Sequence, residues 1–416
     1  MKKLVAFALT LLLFLSNYVV ALAKPAAENA DAYILIDGET GSVLCEKNSQ
    51  ARLYPASTTK IITAVLALEM GNPDQVMTAS QSAIDDIGPN GSNIGIIPGE
   101  KIRLENLLQA LLICSANEAA NIVAENICAT REEFIGLMNR KAKELGAAGT
   151  HFVNASGIHD PDHYTTASDM AVFARYAMTL PGFREIVRMP SLTMPSTNKH
   201  PEWPELANTN RLLTSVQKEL YEVNGIKTGF TGPAGYNLVA SAVDSSGMEL
   251  ISVVMGVRNE NAQNNVRKYS EELLDYGFNN FKRVVLLEKD KVYRNVKVEN
   301  AADLYGLDLI TADNLTCVLP KETEISDIKE ISNIGDSISA PVNQGDIIGY
   351  VEFLKDDMPI GRTDLIAARS IEYTPEPKTA FPFIRIGLYA AGFIIFFIML
   401  RFILRRISRM VHARKS

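Results

Sequence analysis

Three short motifs are strung along this chain with long spacers between them: Ser57-Thr58-Thr59-Lys60, Ser115-Ala116-Asn117 and Lys227-Thr228-Gly229. Their polar groups do chemistry only in company, because a serine hydroxyl is a poor nucleophile until a base stands within hydrogen-bond reach. A fold that uses all three must bring a helix start, a helix break and a strand to one point. The segments between them agree with that demand. Tyr33-Ile34-Leu35-Ile36, a turn over residues 37–41 and Ser42-Val43-Leu44 read as a hairpin. Residues 57–70 read as a helix with Ile61, Ile62, Val65, Leu66 and Leu68 suited to burial. Residues 104–114 and 116–128 read as two helices broken near Ser115, residues 132–145 as another, and residues 264–278 as a last one. Residues 226–230, 236–242 and 250–257 read as adjacent strands. Helices inserted between strands of one sheet imply an α/β (α+β) domain over about residues 28–282.

Taken singly, Ser57 and Ser115 read as well as helix caps, and Lys227-Thr228-Gly229 as an ordinary strand end. Taken together they supply the parts of an acyl-transfer site. Residues i and i+3 share a helix face, so Lys60 stands beside Ser57. Lys60 serves as a base only if burial or a nearby positive charge keeps its amine neutral, and Lys227 is the candidate for that charge. Ser115, in a helix break, is placed to relay a proton, and the Asn117 amide to bond a substrate amide with both its ends. Lys227 and Thr228 suit a carboxylate, and Gly229 lets a substrate backbone come close. The backbone N–H at the helix start and that of Phe230 are candidate oxyanion donors.

This set resembles the penicillin-recognising serine enzymes. Tyr54-Pro55-Ala56-Ser57-Thr58-Thr59-Lys60, Asn208-Thr209-Asn210-Arg211-Leu212-Leu213, Gly225-Ile226-Lys227-Thr228-Gly229-Phe230-Thr231 and Ala234-Gly235-Tyr236-Asn237-Leu238-Val239-Ala240 are similar to the low-molecular-mass D-Ala-D-Ala carboxypeptidases. The resemblance implies a β-lactamase/transpeptidase-like fold and an acyl-enzyme on Ser57. It implies peptidoglycan stem peptides ending in D-Ala-D-Ala as substrate, β-lactams as covalent inhibitors, and no cofactor or metal. Catalytic roles fall on Ser57, Lys60 and Ser115; substrate-binding roles fall on Asn117, Lys227, Thr228, Gly229 and Phe230. The family often adds an arginine after the strand that follows Lys-Thr-Gly, for which Arg267 is the candidate here. Endopeptidase or transpeptidase action uses the same acyl-enzyme, and a silent wall-binding or β-lactam-sensing protein is the non-catalytic alternative. A class A β-lactamase needs an acidic loop residue well before Lys227, and Glu202 and Glu205 lie too close to that lysine.

The rest of the chain organises around this domain. Lys2 and Lys3, an apolar run and Ala21-Leu22-Ala23 read as a signal peptide over residues 1–23. Short alternating strands after Arg283 imply a β-rich domain over 283–372. A Pro-containing linker (373–382) leads to an uncharged run flanked by Arg385 and Arg401. That run reads as a transmembrane helix, 383–404. The basic tail, 405–416, is expected on the cytoplasmic side, with the catalytic domain extracytoplasmic. Net charge of −7 and the lack of a basic patch interleaved with aromatics argue against nucleic acid as a partner. Cys45, Cys114, Cys128 and Cys317 show no disulfide or metal spacing. His159-Asp160-Pro161-Asp162-His163 has ligand-type residues, but a proline in a loop denies them a helical ligand geometry. Tyr236 and Trp203 read as packing residues.

Overall fold

Strand β1 (Ala32–Asp37) is buried at all six positions, and its alternation divides the domain into two cores. Ala32, Ile34 and Ile36 join one apolar cluster, whereas Tyr33 and Leu35 join the other. Successive strand side chains point to opposite faces, so a strand apolar at every position is one covered on both sides. The structure is a computed structural model and describes residues 27–88, 90–215, 219–301, 306–374 and 381–412. The expected signal peptide, residues 1–23, lies outside them, as do residues 375–380 of the expected linker and 413–416 of the tail.

With β2 (Val43–Lys47), β3 (Glu222–Thr231), β4 (Gly235–Val243) and β5 (Glu249–Val257), β1 forms one antiparallel sheet in the order β2-β1-β5-β4-β3. The helical cluster covers one face: α1 (Lys60–Met70), α2 (Leu104–Ile113), α3 (Asn117–Ile127), α4 (Arg131–Glu144), α5 (Ala167–Met178) and α6 (Pro181–Val187). The long α7 (Ala262–Asn280) covers the other face, where Val266, Tyr269, Leu273, Leu274 and Phe278 meet Leu238, Ala240, Leu250 and Val254. The expected α/β architecture is therefore present, with each anticipated strand and helix within a few residues of its place.

The start of α1 differs from expectation. Ala56–Thr59 is a 3-10 turn, and the α-helix begins at Lys60. Ala56 has φ +49°, a conformation that clashes for a residue with a Cβ, and this turns the chain sharply just before Ser57. From Lys60 to Ala67 every residue of α1 is buried, so the helix runs through the middle of the cluster and carries its lysine with it.

The chain divides into two compact units that interleave in sequence. Residues 287–315 and 328–416 form the second unit, whereas 316–327 return to the first. The reason is a strand pairing: Leu315–Pro320, with alternate residues buried, lies beside Phe281–Leu287. Lys321 N–H then donates to Asn280 O at the end of α7. The second unit holds a five-stranded sheet in the order Val292–Val296, Leu307–Thr311, Met358–Ala367, Ile347–Lys355, Ile328–Ile334. Beyond it, Phe381–His412 is one helix. Its Ile386–Arg409 portion is 24 residues long with a mean hydropathy of 2.2 in its apolar 18-residue stretch, and it spans roughly 36 Å at 1.5 Å per residue, enough to cross a bilayer.

Candidate active site

Ser57 sits at a crowded crossing. Pro55 O, just before it, accepts from Thr58 Oγ1 at 2.8 Å and from Asn237 Nδ2 at 3.0 Å. The same Asn237 Nδ2 donates to Tyr54 O at 2.9 Å, and its Oδ1 accepts from Gly256 N–H at 2.8 Å. A buried strand residue of β4 thus staples the turn to the sheet. Gly157, at φ +86°, closes the other side, since a Cβ there would fall 1.9 Å from Ala56 O.

Lys60 is fully buried, and its Nζ lies 3.0 Å from Ser57 Oγ. Its other partners are Asn117 Oδ1 at 2.7 Å and Ser156 O at 2.6 Å. Both are acceptors only, so in a neutral amine they take the two N–H bonds and leave the lone pair facing Ser57. Burial, then the charge of Lys227, holds the Lys60 pKa well below the ordinary lysine value, while Glu118 pulls the other way. Lys227 is also fully buried, and burial lowers its pKa to about 7, with Cys114 opposing. Its Nζ donates to Thr228 O at 3.1 Å. Two buried lysines that repel one another are costly to fold, and such arrangements gather where chemistry needs a shifted pKa.

Ser115 lies in the break between α2 and α3 with φ +64°, 4% exposed, on the wall of a cavity of about 780 Å³. Ser57, Asn117, Thr228, Gly229, Phe230 and Arg267 share that wall. Every site residue expected from sequence lines this cavity except Lys60 and Lys227, which are sealed beneath it.

Two expectations change. Asn117 was expected to offer both ends of its amide to a substrate, but both are engaged within the protein: Oδ1 by Lys60, and Nδ2 by Ile87 O at 2.9 Å. Gly229 was expected to admit a substrate backbone, yet its missing Cβ admits the nucleophile turn. That atom would stand 2.8 Å from Pro55 O, 3.1 Å from Thr58 N and 3.2 Å from Ser57 N. Strand β3 therefore packs backbone-to-backbone against the turn carrying Ser57.

Thr228 Oγ1 donates to Thr209 Oγ1 at 2.8 Å, so the Asn208–Arg211 run borders the strand. Arg211 and Arg267 both line the cavity, no carboxylate among the described residues does, and neither guanidinium has an ion-pair partner there. Tyr236 lines the cavity too, stacked on the exposed Phe230 with centroids 4.2 Å apart, and so is more than the packing residue expected. Trp203 is buried as expected, against His200. In the histidine loop, His163 is buried and bonds Thr59 Oγ1 at 2.8 Å, whereas His159 stacks edge-on against Tyr54 beside the cavity. The four cysteines are free.

Sequence reasoning assigned no role to Asn237, Ser156, Thr209 or Arg211. An asparagine inside an apolar strand run was the available signal for Asn237. The carbonyl of Ser156 has none, because every residue carries one.

Comparison with known proteins agrees with this geometry. The family model described as D-alanyl-D-alanine carboxypeptidase matches residues 19–259, and that of the penicillin-binding protein 5 C-terminal domain matches residues 281–373. The D-alanyl-D-alanine carboxypeptidase DacF of Bacillus subtilis is 32% identical over 352 residues, 83% of this chain and 87% of that protein. The crystal structure of penicillin-binding protein 5 from Haemophilus influenzae superposes with TM-score 0.72 at 29% identity, covering 83% of this chain and 98% of that one. A Streptomyces K15 DD-transpeptidase mutant has TM-score 0.56 at 30% identity, covering 60% of this chain and 98% of its own. The chain belongs to the D-alanyl-D-alanine carboxypeptidase family, among the low-molecular-mass penicillin-binding proteins.

Proposed function

We propose that this chain removes the terminal D-alanine from peptidoglycan stem peptides through an acyl-enzyme on Ser57, in the manner its family name describes. The observation that carries the proposal is the Lys60 amine, buried, 3.0 Å from Ser57 Oγ and steered by two acceptor-only partners. Ser57 Oγ attacks the carbonyl carbon of the penultimate D-alanine, and its proton passes to the Lys60 lone pair. The developing oxyanion is met by the backbone N–H groups of Ser57 and Phe230; the approach of β3 to within a missing Cβ of Ser57 N supports that pairing. Ser115 donates its proton to the departing amine and takes up the one held by Lys60, the peptide C–N bond breaks, and D-alanine leaves with Lys60 neutral again. Water then attacks the ester and regenerates Ser57. The terminal carboxylate is held by Thr228 and Arg267, with Lys227 supplying positive charge from beneath the wall and Arg211 adding charge at it. Asn117 acts on Lys60 rather than on the substrate in the resting site.

A β-lactam presents a carboxylate and a strained amide to the same groups and acylates Ser57. Intact-mass measurement after incubation with penicillin tests this: one adduct is expected on the parent protein and none on Ser57→Ala. An unmodified, folded parent refutes the mechanism. The similarity to a DD-transpeptidase favours a second reading, in which an amine replaces water as acceptor. Release of D-alanine from a pentapeptide, measured with and without an added amine acceptor, separates the two. We further propose that Phe381–His412 anchors the chain once across the membrane, with the active site on the outer side facing the wall.

A further inference from the structure

The first turn of α3 reaches in two directions. Asn117 Oδ1 takes the Lys60 amine, and the same turn fastens a stretch of cavity wall. Asn117 N–H donates to Ser92 O at 2.8 Å, Asn117 Nδ2 to Ile87 O at 2.9 Å, and Ile94 N–H donates to Glu118 Oε1 at 2.7 Å. Ile87, Asn90, Gly91 and Ser92 line the cavity. Gly91 has no room for a Cβ, which would stand 2.7 Å from Asn117 Nδ2. Glu118 itself is 1% exposed, and its Oε2 has no hydrogen-bond partner. A carboxylate is costly to bury unless it is paired or hydrogen-bonded. Cores are normally filled with apolar groups at such a place.

We infer that Glu118 is a positioning residue for acylation: by holding Ile94 it locks the neighbouring wall residues Asn90, Gly91 and Ser92 to the helical turn that aims Lys60 at Ser57. The wall and the base then form one rigid piece, and a ligand seated against the wall is registered to the nucleophile. The inference rests on the Ser57 reading above. Burial also raises the Glu118 pKa, against the pull of the N–H groups of Ile94, Gly95 and Ile96 that surround it. Ile94 ends the stretch that it holds, and Gly95 and Ile96 follow directly.

Stopped-flow acylation of the full chain by a fluorescent penicillin, with binding and acylation constants resolved separately, tests the assignment. E118A is expected to weaken binding and to slow acylation, each on the order of tenfold, because the wall and Lys60 lose their shared register. E118Q keeps an oxygen acceptor for Ile94 and is expected to restore both constants to within about threefold of the parent. E118D, whose carboxylate is one methylene short of Ile94, is expected to fall between them and serves where E118A does not fold. A merely structural residue lowers the melting temperature but leaves both constants of the folded fraction unchanged; that outcome, or E118A and E118D acylating like the parent, overturns the inference. Acylation of the parent reports on Ser57, and the ratio of variant to parent reports on Glu118, so the two readings fail separately.

Discussion

Replacing Gly229 by alanine puts one methyl group where β3 meets the nucleophile turn. The new Cβ would stand 2.8 Å from Pro55 O, against the 3.4 Å at which ordinary contact begins, so strand and turn must part by about 0.6 Å. Neither side yields easily, because Pro55 O is backbone and holds both Asn237 Nδ2 and Thr58 Oγ1. Overpacking of this kind costs ~1–3 kcal/mol of stability. The kinetic cost is steeper. Ser57 moves relative to Lys60, to the 3.0 Å contact between them and to the N–H of Phe230. A misplacement near 1 Å costs ~10²-fold, so a shift of this size predicts a loss between about tenfold and 10²-fold in the second-order rate of penicillin acylation. Gly136→Ala in α4 is the control: its Cβ would meet only the end of Arg140 at 3.6 Å. Helix propensity predicts a gain of ~0.5–1 kcal/mol there with no change in acylation. Acylation rates and melting curves of both variants decide the matter. A Gly229→Ala protein that acylates within twofold of the parent at the same melting temperature would falsify the close-approach argument.

Lys227→Met is expected to trade function for stability. Burial lowers the folded-state pKa from 10.5 to about 7, so the unfolded chain binds a proton that the folded chain resists. The resulting penalty is absent above pH 10.5, grows as pH falls and is complete below about 7, where removing it yields ~5 kcal/mol at 1.36 kcal/mol per unit. Chemical denaturation at pH 7 and at pH 10 checks that the gain shrinks with rising pH; a destabilised variant at pH 7 refutes it. In the parent, affinity for a ligand carboxylate should decline as pH rises through about 7, where Lys227 loses its charge; a flat binding profile from pH 6 to 9 contradicts this. His163 predicts a loss at the acid side. Burial chiefly lowers its pKa from 6.5 to about 4, and its Nδ1 accepts from Val153 N–H at 3.1 Å, a bond that protonation destroys. The histidine therefore contributes stability above pH 6.5 that is lost as pH falls toward 4, worth ~3 kcal/mol. His163→Asn should flatten that part of the stability curve, as denaturation at several pH values would show. A chain ending at Tyr373 should keep its acylation rate and stop co-sedimenting with lipid vesicles; retained sedimentation argues against the anchor.

Side-chain chemistry and apolar period were legible in the sequence; backbone conformation and backbone partners were not. Tyr33-Ile34-Leu35-Ile36 could be read as a strand from its apolar residue types, although the burial of β1 on both faces, Asp37 included, could not. Ser57, Lys60, Ser115 and Lys227 could be read because few side chains do their chemistry, and all four lie at or beneath one cavity. The aim of the Lys60 amine was hidden, since one of the two groups that fix it is the carbonyl of Ser156, 96 residues further along the chain. The positive φ of Ala56 was hidden for a related reason: nothing in an alanine announces a left-handed turn, and the strain is held by contacts from Gly157 and Asn237. Gly229 was legible as a close approach but not as to what approaches. The return of residues 316–327 to the first unit was missed because an alternating strand reads the same whichever sheet it joins. A motif in this chain therefore names the atom that reacts, while the direction from which it reacts is set by main-chain groups that any residue would have supplied. Substitutions that move those groups, at Gly157, Gly229 and Asn237, should then damage acylation while leaving all three motif nucleophile and base side chains in place, and that separation is open to measurement.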